Sequence, residues 1–132
     1  MIKKTIKFTD FNGNEHTEDL YFNINNKEIL DMEKSVPGGL TNKLQKVTEN
    51  QDIDGILEYI ELLIDKGYGK KSDDGMRFLK SPEILADFKA SPAYDEFFML
   101  VLKDAKFAAE FIEGVYPATL IAEAKRLEAS KK

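Results

Sequence analysis

The chain has 132 residues, 42% hydrophobic and 33% charged, a composition suited to one globular core that buries roughly two thirds of the unfolded surface. A net charge of -5 and a pI near 5.0 oppose a non-specific nucleic-acid or anionic-membrane surface. With no cysteine there is neither a disulfide framework nor a thiolate metal site, and no segment approaches the ~20 apolar residues of a membrane span or the apolar core of a signal peptide. The expectation is a soluble chain with a cytoplasmic address.

Before residue 26 the apolar spacing is two. "IKKTIKF" places Ile2, Ile6 and Phe8 on one face and "EDLYFNI" does the same for Leu20, Phe22 and Ile24, as half-buried strands require. The Lys3, Lys4 and Lys7 cluster reads as a solvated strand face. "FNGN" between the strands supplies a turn. A two-residue loop at Asn12-Gly13 would turn one apolar set to water, so register favours a three-residue loop, Asn12 to Asn14, pairing Ile6 with Leu20 and putting Asn14 in the left-handed region. A hairpin alone is marginal and needs helices to pack on.

After Asn25 the period becomes helical. "NKEILDMEK" starts at an asparagine cap, "VPGG" interrupts, and "LTNKLQKV" carries Leu40, Leu44 and Val47 on one face. The clearest helix is "DIDGILEYIELLIDKG", with Asp52 as cap and Gly67 as stop. "YGKKSDDG" reads as an exposed loop, and "MRFLK" fits either an extended piece or a helical turn. Ser81-Pro82 and Ser91-Pro92 each set a capping hydroxyl before a proline suited to the first helical position. Asp104 is placed to cap "AKFAAEFIE", with Gly114 as its end, and Pro117 leads into a last helix bearing Leu120, Ile121, Ala124 and Leu127 before a frayed "EASKK". The expected fold is α+β and mostly α, one domain over 1–132. Its N-terminal β-hairpin (1–25) packs on about six short helices (26–117), followed by the C-terminal helix and tail (118–132).

The search for chemistry returns little. His16, the lone histidine, falls on the second strand without a carboxylate pair at metal-ligand spacing and reads as an exposed strand residue. "GYGKKS" lacks the spacing of a phosphate-binding loop and follows a helix rather than a strand. "DIDG" and "SDDG" do not continue into a calcium loop. Adjacent acids such as Asp95-Glu96 point about 100° apart on a helix and do not converge on one bond. The residues give no reason to expect an enzyme, a metal or a cofactor.

Three blocks in order, "FTDFNGNEHTEDLYFNI", "YGKKSDDGMRFLKS" and "FKASPAYDEFFMLVLKDAKFAAEFIEGVYP", resemble the tail assembly chaperones of long-tailed bacteriophages and prophages, over roughly residues 5 to 117. The last segment, "ATLIAEAKRLEASKK", has no counterpart in that resemblance. The resemblance implies a role without bond chemistry: binding the tape measure protein, keeping that long apolar chain soluble, and helping tail tube protein subunits assemble around it. It also implies a place in the host bacterial cytoplasm and absence from the finished virion. A different class of function, a small acidic inhibitor or adaptor docking on a single host protein, fits the same composition. Weak self-association through the hairpin edge stays open.

The stretch "EFFMLVLK", residues 96–103, sets six apolar positions in a row, more than one helical face accommodates. For a helix continuous past Asp104, Tyr94, Phe97, Val101, Ala105, Ala108 and Ile112 fall within an arc of about 80° and form core. Met99 then projects among Asp95, Lys103, Lys106 and Glu110, with Phe98 and Leu102 at the edge of the arc. Phe98, Met99 and Leu102 are therefore the expected partner-binding residues, methionine suiting a surface that adapts to varied apolar helices. The alternative is that another helix of the domain covers them.

Overall fold

The computed structural model describes residues 1–116, so the expected C-terminal helix with Leu120, Ile121, Ala124 and Leu127 lies outside the described residues. In chain order the elements are β1 (Ile2–Thr9), β2 (Glu15–Phe22), α1 (Asn26–Ser35), α2 (Leu40–Glu49), α3 (Ile53–Gly67), β3 (Tyr68–Lys71), β4 (Phe78–Leu79), α4 (Pro82–Lys89), α5 (Pro92–Lys103) and α6 (Ala105–Val115). The fold is mostly α with a β part, as the spacing implies. The sheet, however, is larger than a hairpin: four antiparallel strands in the order β1-β2-β3-β4.

The hairpin keeps its expected faces but not its expected register. Ile6 lies opposite Glu18 and Lys4 opposite Leu20, a shift of two residues. A two-residue shift preserves the side of every side chain, so Ile6 and Leu20 remain buried as diagonal neighbours. The cause is a longer loop, Asp10 to Asn14, organised by the Asp10 carboxylate. Its Oδ1 accepts from the Asn12 and Asn14 amides at 2.8 and 2.9 Å, while Asp10 N–H donates to Asn14 O at 2.8 Å. Gly13, not Asn14, takes the left-handed position, at φ +87°.

β3 takes the first four residues of the expected exposed loop. At the end of α3 the chain meets the edge of β2: Asn23 N–H donates to Gly67 O at 2.8 Å, and Tyr68 and Gly69 pair with Phe22 and Tyr21. Four residues with two lysines show no alternation long enough to read as a strand. Tyr68 is held there by its neighbours, stacking on Phe88 at 3.9 Å between ring centroids. The ambiguous "MRFLK" is extended at Phe78–Leu79, which pair with Lys71 and Lys70.

The helix ends follow local chemistry. Asn25 and Glu28 form a reciprocal capping box on α1, and Asp52 and Ser81 cap α3 and α4 through Gly55 and Ile84. Ser91 departs from expectation: it makes no cap to α5, and its hydroxyl donates backwards to Phe88 O at 2.6 Å, closing α4. Asp104 ends α5 and caps α6, accepting from the Lys106 and Phe107 amides at 3.0 and 3.1 Å. The α5–α6 segment is therefore two helices rather than one. Gly114 does not terminate α6 but lies within it, where a Cβ would come within 2.6 Å of the Ile2 side chain, so its bareness lets β1 approach.

The core centres on Phe22, which stacks on Phe97 at 4.9 Å and meets Phe111 edge-on at 5.0 Å, all three fully buried. Phe88 and Tyr68 complete the aromatic group, joining β2, β3, α4, α5 and α6. Such pairs contribute about 0.5–1.5 kcal/mol each beyond the area they bury. Lys80 ties the other side: its Nζ donates to Asn23 O, Lys66 O and both Glu28 oxygens at 2.9–3.0 Å, linking the residue after β4 to the start of α1 and the end of α3.

Candidate partner-binding surface

α5 sorts its apolar run by face. Phe97 and Val101 are buried with Ala93, whereas Phe98 and Leu100 are half-buried. Met99 and Leu102 keep 37% and 43% of their surface in water, one helical turn apart and so on one face. Phe98 joins them four residues before Leu102 and leans on Tyr94 at 5.9 Å. The inner face is fixed by Phe97, which packs on Phe22, Phe107 and Phe111, so the outer three are carried on a rigid mount.

The surroundings of Met99 differ from the continuous-helix expectation. The break at Asp104 transfers Lys106 and Glu110 to α6, and Glu110 pairs with Lys4 at 3.0 Å. Ala105, expected in the core arc, is exposed, while Phe111 and Val115, absent from that arc, are fully or nearly fully buried. A change of axis at the Asp104 cap resets the angular position of every later side chain. The capping aspartate was the available signal.

Lys4 also departs from a solvated strand face. It shares the core side of β1 with Ile2 and Ile6, pairs with Glu110, and places its ammonium 4.7 Å from the Phe107 ring centroid. His16 is half-exposed, as expected, and is held between the Phe8 ring at 5.4 Å and Asp10 Oδ2 at 2.6 Å. That hydrogen bond, with those from the Asn14 and Asn12 amides, keeps the Asp10 carboxyl below its ordinary range. "DIDG" is a helix cap and "SDDG" a turn, where Asp74 accepts from Met76 N and Ser72 Oγ. Among the described residues no group of three His, Cys, Asp or Glu is placed to hold a metal ion, and no helix is long and apolar enough to cross a membrane.

A polar corner joins α1, α2 and the end of α6. Glu33 Oε2 accepts from Thr41 N at 3.1 Å, Thr41 Oγ1 at 3.0 Å and the Tyr116 hydroxyl at 2.8 Å. Burial, then the Glu33 hydrogen bond and charge, push the Tyr116 phenol far above its ordinary value. Tyr59, edge-on to Tyr116 at 6.3 Å, is raised by burial and by the same carboxylate. Both phenols stay protonated, and the corner is structural.

A family model described as phage tail assembly chaperone matches residues 1–132, the whole chain. The chain belongs to that family. No curated protein and no solved structure matches it. Membership in a family of assembly chaperones implies protein partners in tail assembly. Two further exposed apolar residues, which periodicity does not reveal because they occupy turns, stand at the tips of the two hairpins: Phe11 (85% exposed) and Met76 (78%). Because β3 runs antiparallel to β2, both tips lie at one end of the sheet.

Proposed function

We propose that this chaperone binds the tape measure protein through the outer face of α5, Phe98, Met99 and Leu102, keeping that client soluble and helping recruit tail tube subunits. The observation that carries the proposal is the division of one helix. Its inner face is locked in an aromatic core while two large apolar side chains, a turn apart, remain in water. Binding is of the helix-against-helix type, with apolar residues at i, i+1 and i+4 meeting a complementary stripe. Each contact is weak, and many copies along a long client supply the avidity. The net charge of -5 keeps the coated client dispersed. No covalent step is involved, and the chaperone acts in the host cytoplasm and leaves before the virion is complete.

Co-expression with the matching tape measure protein is the test. Soluble client that co-purifies with the chaperone, lost when Met99→Asp and Leu102→Asp are combined, supports the reading. Client solubility unaffected by the chaperone overturns it, and a saturable one-to-one complex with a single host protein in its place favours the adaptor alternative.

A further inference from the structure

β1 is an outer strand of the sheet, and among the described residues no strand pairs with its free side. Two bonds fix the phase of the ladder. Asp10 N–H donates to Asn14 O at the head of the β1–β2 pair, and Asn23 N–H donates to Gly67 O at the foot of β2–β3. Hydrogen-bonded pairs alternate along an antiparallel ladder, so the backbones of Ile2, Lys4, Ile6 and Phe8 bond to β2. Those of Lys3, Thr5, Lys7 and Thr9 therefore turn their N–H and C=O groups toward the free side.

The common guards of such an edge are weak here. Eight successive pairs run without bulge or proline, whereas β4 at the opposite edge has two residues. Lys4 points inward, another common guard, but Glu110 neutralises its charge and only 15% of its side chain meets water. On the outer face Lys3 and Lys7 flank Thr5. Asp19, opposite Thr5 and diagonal to both lysines, accepts from the Thr5 hydroxyl at 2.6 Å. Neither lysine has an ion pair among the described residues. On the core face Ile2 and Phe8 are half-buried, each with apolar surface left to cover.

We infer that the outer edge of β1 takes an extended segment of a protein partner, acidic where it faces Lys3 and Lys7 and apolar at the alternate positions beside Ile2 and Phe8. Backbone bonds supply the affinity and the two lysines the selectivity. A second copy of this chain fits worse. Pairing through the outward groups sets odd-numbered residues against odd-numbered ones in every antiparallel register, which gathers Lys3 and Lys7 of both copies on one face. The lysines thus guard against a like strand and favour an acidic one.

The test uses the full chain and a capped peptide of alternating glutamate and valine as long as β1, with a lysine-valine peptide as control. The glutamate peptide is expected to bind about tenfold more tightly at low ionic strength. Lys3→Glu combined with Lys7→Glu should invert that preference. Equal binding of the two peptides, or binding of neither, overturns the acidic partner. Amide exchange locates the contact without any variant. Bound glutamate peptide should slow Lys3, Thr5, Lys7 and Thr9, while Lys4, Ile6 and Phe8, already bonded to β2, change little. Slowing elsewhere, or protection of the outward amides before peptide is added, overturns the edge as the site. Thr5→Pro removes an outward N–H at an edge position that tolerates proline, and should abolish peptide binding with the hairpin intact. Met99→Asp should bind the peptide as the natural chain does, and a loss there would move the contact to α5.

Discussion

The aromatic centre around Phe22 and the polar corner around Glu33 are both buried, yet they hold the fold by different physics. At the centre, Phe22, Phe97 and Phe111 are fully buried and interlock without a polar atom among them, so stability there follows buried area and shape. At the corner one carboxylate oxygen gathers three donors from α2 and the end of α6. Its directional bonds fix which helix end meets which. The centre thus supplies cohesion, and the corner sets the orientation of α1, α2 and α6.

Truncation should separate the two. Phe97→Ala opens a cavity against three other rings and is expected to cost about 3–5 kcal/mol in chemical unfolding, with client binding lost as the mount for α5 softens. A cost near 1 kcal/mol would show that the centre can collapse around the gap. Glu33→Ala leaves the Tyr116 hydroxyl only the longer 3.4 Å bond to Ile29 O and removes the carboxylate partner of the Thr41 amide, and should cost about 2–3 kcal/mol. Tyr59→Phe probes the same corner in the opposite direction. Among the described residues the buried Tyr59 hydroxyl has no hydrogen-bond partner, so its removal should leave stability unchanged or raise it by up to about 1 kcal/mol. A clear loss of stability would reveal a partner for that hydroxyl.

The Lys80 tie gives a smaller, pH-dependent effect. Burial alone would raise the Glu28 carboxyl, but the Lys80 hydrogen bond, the Asn25 amide and the Lys80 charge outweigh it and hold the group below its ordinary 4.5. A depressed folded value means that the contribution is fully present above that pH and is lost as pH falls through the lower folded value. The stability gap between the natural chain and Lys80→Met should therefore narrow in acid, and a gap constant from pH 6 to pH 3 would assign the tie to the carbonyls of Asn23 and Lys66 alone. Smallest of all in stability is Met99→Asp, expected within about 0.5 kcal/mol of the natural chain because the side chain already meets water. Weaker client recovery with an intact fold would support the α5 face, whereas unfolding would place Met99 in the core.

Much of the architecture was legible because its signals are local. Asn25, Asp52, Ser81 and Asp104 mark helix starts through their own side chains, and the alternation in β1 and β2 gave the correct buried faces. The run "EFFMLVLK" likewise showed that one helical face could not hold all its apolar residues, and Met99 and Leu102 are indeed exposed.

By itself, then, the sequence determined the helix starts, the inward faces of the hairpin and the family to which the chain belongs. Only tertiary structure decided that Tyr68–Lys71 would become a strand, that Lys4 would pair across to Glu110, and that Glu33 would anchor Tyr116. Caps and periodicity act over a few residues and are written in the residues they order. A sheet edge, an ion pair between a strand and a helix or a shared carboxylate joins positions far apart in the chain, and it contributes only once the tertiary fold has brought those positions together.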